Sequence, residues 1–193
     1  MAAEAERQCI AFAGQRLLAS GGVSKVALAL RAALDRDPHL APLVFDAQTS
    51  EPVELDLRGS RSDVLRRLGP SSAPPEGRTV RGPGRPRLGV VAREVTLLPR
   101  HWEWLNAQPG GASVALRKLV EAARRAAEGP DRARASRESV YRFMTALAGN
   151  AVGYEEAVRA LFAGDRGRFA SLIAPWPRDL RAHLTKLAQP AFA

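Results

Sequence analysis

Residues 69–88 hold five prolines, four glycines and two serines. A stretch of that composition fixes or frees its backbone without supplying side chains to bury, so it forms no packed core. Whatever folds in this chain must fold on either side of it. The sequence divides into a small module over 1–69, an arm or linker over 70–88, a strand–helix–helix segment over 89–129 and a helical region over 130–193. The expected class is α+β.

The first module reads strand–strand–helix–strand–strand–helix. Cys9–Phe12 and Leu17–Ala19 flank Ala13-Gly14-Gln15-Arg16, a hairpin turn. Ser24 is placed to cap a helix running to about Leu34, with Val26, Ala27, Leu30, Ala33 and Leu34 at helical spacing. Leu43-Val-Phe45 is a strand and residues 46–50 a turn. Val53, Leu55 and Leu57 alternate inward, as in a second strand. Ser62-Asp63 opens a short helix that ends near Leu68. The single Cys9 sits in an apolar run and reads as a small core residue; alone it permits no disulfide within the chain.

Beyond the linker, 90–98 has the pattern of a strand. Pro99 opens a helix to about Ala107, Gln108-Pro-Gly-Gly111 breaks it, and Ser113 is a suitable N-cap for the next. That helix carries Leu116, Leu119, Val120 and Ala123 on one face, with Arg117, Arg124 and Arg125 off it. Gly129-Pro130 is expected to stop it. From Ser136 the chain is helical again. Val140, Phe143, Met144 and Leu147 form a stripe and Gly149-Asn150 a break. Two short helices follow, split by Gly164-Asp165, and Pro175-Trp176-Pro177 turns into a last helix through Leu187. Trp102 and Leu105, at i,i+3, read as core or dimer interface.

The net charge is +9 and unevenly placed. Residues 1–57 carry −3, residues 58–100 carry +7 and residues 101–193 carry +5. A basic block favours polyanions through counterion release. Only Lys25, Lys118 and Lys186 are lysines, and the other basic residues are arginine. Such a bias toward arginine follows from GC-rich coding and raises the pI without any function, but it does not account for the clustering. No apolar run approaches the length of a membrane span. Glu4 and Glu6 stand where a basic leader would, which points to the cytoplasm.

The segment 90–127 resembles the ribbon-helix-helix superfamily of bacterial repressors. The resemblance rests on Arg93-Glu-Val-Thr-Leu-Leu98, the Pro99 helix start, the Gly110-Gly111 break and Ser113-Val-Ala-Leu-Arg-Lys-Leu-Val120. It implies a homodimer whose paired strands enter the major groove of double-stranded DNA. It also implies a phosphate held at the second helix's N-terminus by Gly111, Ala112 and Ser113, with Arg117 one turn on. Two strand registers stand open. One turns Arg93, Val95 and Leu97 to the DNA, with the apolar pair against thymine methyls; the other turns Glu94 and Thr96 there. Arg100 lies just beyond the strand. In the arm, Pro83-Gly84-Arg85-Pro86-Arg87 resembles an AT-hook core, with Pro83 where an arginine is usual and Arg81 displaced. Arg85 and Arg87 would then enter a narrow A·T minor groove. More loosely, the whole chain resembles an uncharacterised bacterial family, which implies no activity.

No phosphate loop, dinucleotide fingerprint, nucleophile elbow or catalytic pair occurs, so no enzyme and no cofactor is expected. His39, His101 and His183 are far apart and read as surface or core residues rather than metal ligands. Glu155-Glu156 reads as a solvated helix start. The expectation is a dimeric DNA-binding regulator, the N-terminal module and helical tail being free to meet a protein partner. The other reading is an adaptor whose basic linker is only solvated.

Overall fold

The computed structural model describes residues 6–68, 91 and 93–193. They form β1 (Gln8–Ala13), β2 (Arg16–Gly22), α1 (Val23–Arg36), β3 (Pro42–Asp46), α2 (Arg61–Leu68), α3 (Pro99–Asn106), α4 (Gly111–Ala148), α5 (Tyr154–Ala163), α6 (Arg166–Ile173) and α7 (Arg178–Leu187). A 3-10 turn, Gln189–Phe192, closes the chain. The class is α+β, and no helix among the described residues is long and apolar enough to cross a membrane. The described residues divide into two compact units, those up to 68 with 129–193, and those within 72–128.

β1 organises the first unit. The sheet is antiparallel in the order β2-β1-β3, so β1 is its middle strand. Its run Cys9-Ile-Ala-Phe12 is buried throughout, as a strand covered on both faces must be. Alternation sends Cys9 and Ala11 to one side, with Val44 and with Val26 and Leu30 of α1. Ile10 and Phe12 go to the other side with Phe45, in one core with Val140, Phe143 and Met144 of α4 and with Leu161, Phe169, Leu180 and Leu184 of α5–α7. Each large side chain so buried contributes about 1.5–3 kcal/mol. The N-terminal module and the C-terminal helices therefore share a core. Cys9 is fully buried, and that burial pushes its thiol pKa up.

Polar side chains of α4 fasten this arrangement. Ser139 Oγ donates to the Gln48 carbonyl at 2.7 Å and shares a hydrogen bond of 2.9 Å with Ser50 Oγ. Arg142 donates to the Thr49 carbonyl. Ser136 Oγ donates to the Leu187 carbonyl at 2.8 Å. Ser50 has φ +54°, unusual for a residue with a side chain, and it is buried. Such a conformation costs on the order of 1–3 kcal/mol and persists where its surroundings hold it.

Several sequence expectations change. Ser24 is not the cap of α1: the helix begins at Val23, and the Ser24 amide donates to Glu6 Oε1 at 2.8 Å. A carboxylate 18 residues away thus fills the role expected of the local hydroxyl, and this contact holds the Glu6 pKa below its usual range. Residues 53–57 form no strand. One bridge pairs Phe45 with Pro52, and the Val53 amide donates to the Val44 carbonyl at 2.9 Å. Val53, Leu55 and Leu57 still pack inward on the α1 side, so the alternation reported facing and not pairing. Residues 93–98 lie in no strand, because a strand is defined by a partner and none of the described residues supplies one. Gly129-Pro130 does not end a helix: α4 runs through it from Gly111 to Ala148. Proline removes one helical hydrogen bond, leaving the Ala126 carbonyl; Ala126, Gly129 and Pro130 are all exposed, so water can take its place.

Candidate functional site

The basic segment predicted as a site falls partly outside the described residues: Arg81, Arg85, Arg87, the Pro83–Arg87 motif, Val90 and Ala92 lie there. The rest belongs to the second unit, which is built on α3 and the first half of α4. Pro99 stands in the first turn of α3, where its fixed φ suits the helix and its missing N–H removes no bond. The amides of His101 and Trp102 donate to the Leu98 carbonyl at 2.8 and 3.3 Å. Gly110 and Gly111 have φ +87° and +74°, a conformation glycine adopts without strain. They make the break between the helices, and the Gly111 amide donates to the Gln108 carbonyl at 2.9 Å.

α4 therefore starts at Gly111 and Ser113 lies inside its first turn, not at its cap. The two glycines already turn the chain, which moves the start two residues earlier than a serine cap implies. Ser113 is exposed, and its carbonyl accepts from Arg117 Nε at 3.0 Å. Arg93, Arg100 and Lys118 are exposed and make no ion pair with another described residue. Val95 is 57% exposed, and Leu97 is partly covered. Glu94 and Glu103 are exposed among them. Glu121 accepts from Arg124 at 2.9 Å and Arg125 at 3.0 Å, and these bonds draw its carboxyl pKa down.

What the unit buries matters as much as what it shows. Among its described residues only Leu105 and Ala115 are buried. Trp104 is 52% exposed, and Val91, Leu98, Trp102, Leu119 and Val120 are exposed as well. Two buried side chains do not offset the entropy of ordering two helices. The sequence pattern identified Leu116, Leu119, Val120 and Trp102 as apolar, but the large exposure is a property of the fold. Among the histidines, His39 and His101 are exposed. No group of three side chains able to hold a metal occurs among the described residues.

Residues 8–188 match a family described as uncharacterised proteins conserved in bacteria (DUF2239), and the chain belongs to that family. No curated protein and no solved structure matches it.

Proposed function

We propose that this protein binds double-stranded DNA as a homodimer, without catalysing a reaction, through its second unit and the basic arm before it. The observation that carries the reading is the pairing of exposed cations with the small core of this unit's described residues. Arg93, Arg100, Arg117 and Lys118 are exposed, as is Val95, in a unit whose described residues bury two side chains. A second copy supplies the missing apolar surface, and a polyanion matches the charge. In this reading residues 93–98 pair with the same residues of the second copy as a ribbon, Arg93, Val95 and Leu97 facing the groove. Gly111 and Ser113 at the start of α4 receive a phosphate, and Arg81, Arg85 and Arg87 follow the backbone or the minor groove.

Mobility shift of several unrelated duplexes across a salt series tests it. Binding with a steep salt dependence is expected, and Arg85→Ala with Arg87→Ala should lower the slope of log K against log salt by about two contacts. Ser113→Glu should weaken all duplexes alike, with circular dichroism unchanged, by placing an anion at the phosphate position. Absence of binding at low salt overturns the reading. A second reading, a non-enzymatic interaction protein, is favoured by the bare Leu119 and Val120 on α4, since apolar side chains address protein surfaces and not phosphates.

A further inference from the structure

The first half of α4 is apolar along one side. Leu116, Leu119, Val120, Ala123, Ala126 and Ala127 fall within about 120° of arc at the helical angle. Leu119 and Val120 are 49% and 63% exposed, and Ala123 and Ala126 are exposed with them. Along one flank of this arc, within about 60°, run Arg117, Glu121, Arg124 and Glu128. Their signs alternate, and their order reads as its own opposite from either end.

We propose that this face takes the same face of a second copy, the two α4 helices packing antiparallel about a two-fold axis between Ala122 and Ala123. That operation brings Arg117 level with the partner's Glu128, and Arg124 level with the partner's Glu121. Leu119 stands level with the partner's Ala126, and Ala122 and Ala123 at the axis let the helices approach closely. In a parallel pair this charged flank lies opposite the partner's other flank, that of Lys118, Ala122 and Arg125, so the Arg117–Glu128 and Arg124–Glu121 pairs form only in the antiparallel direction. The paired stretch, residues 117–128, is about 18 Å long. It supplies cover that the two side chains buried among this unit's described residues do not. The inference goes beyond the nucleic-acid reading: the face is bare whether or not DNA binds, and it is tested without DNA.

The full chain is used throughout. Cysteine is introduced at Ala123→Cys, beside the axis, or at Ser113→Cys, about 28 Å from its own copy in the antiparallel pair. Cys9 is buried, so unmodified protein is the control for background oxidation. Mild oxidation should join Ala123→Cys chains as dimers and leave Ser113→Cys chains single. Sedimentation of the unmodified chain at tens of micromolar should show a dimer, and Leu119→Glu with Val120→Glu should raise its dissociation constant about 100-fold. These two side chains are exposed, so circular dichroism should not change. A monomeric unmodified chain overturns the proposal. So do equal cross-linking at both positions, which marks a parallel or random pair, and an intact dimer in the folded double variant.

Discussion

His183 stands where three rings meet. Its imidazole centroid lies 4.5 Å from that of Phe143 and 6.1 Å from that of Phe12. Its Nε2 is buried without a hydrogen-bond partner. Burial, with Lys186 nearby, pushes its pKa down to about 4. An unfolded imidazole takes its proton near pH 6.5, so between pH 6.5 and 4 the unfolded chain holds the extra proton. The contribution of His183 is thus whole above pH 6.5 and declines as pH falls toward 4, by on the order of 3 kcal/mol. Urea unfolding at pH 7.5 and 4.5 checks this: His183→Phe should lose less stability between the two than the unmodified chain. Gly22 carries a different constraint. A Cβ there would collide with the Glu6 carboxylate that caps α1. Gly22→Ala should displace that cap and lower stability by about 1 kcal/mol, read as a fall in the unfolding midpoint.

α4 shows what an element's sequence tells and what it hides. Gly129 has open space around its missing side chain, and glycine costs a helix interior about 1 kcal/mol against alanine. Gly129→Ala should therefore raise stability by up to that amount, measured by urea unfolding; a loss would mean that residue 129 needs glycine for another reason. The Gly-Pro pair reads as a stop from sequence because local chemistry there opposes a helix. The helix persists because Ser136, Ser139 and Arg142 are anchored downstream by residues far away in the chain. Most other boundaries were legible. The 8–22 hairpin, α1, β3, α3 and α5–α7 follow from turn residues and apolar spacing. Leu55 and Leu57 were legible as inward-facing, yet not as unpaired, because pairing is decided by a neighbour. In the candidate site, the bareness of Trp104, Leu119 and Val120 was not legible, since exposure depends on what fails to cover a side chain.

At the scale of the molecule, β1 joins regions that the sequence separates. Residues 1–68 made alone would leave Ile10, Phe12 and Phe45 without the helices that cover them. That fragment should show no cooperative unfolding transition, and mixing it with residues 129–193 should restore one; cooperative melting of the fragment alone would mean that the α1-side cluster suffices. The same discontinuity sets a schedule for synthesis. Phe12 is made well before Leu184, which lies in the same core. At roughly 5–20 residues per second, on the order of 10–30 s pass between them. Throughout that interval one side of β1 is an uncovered apolar strand. The core on that side of β1 therefore closes only when the C-terminal helices have been made.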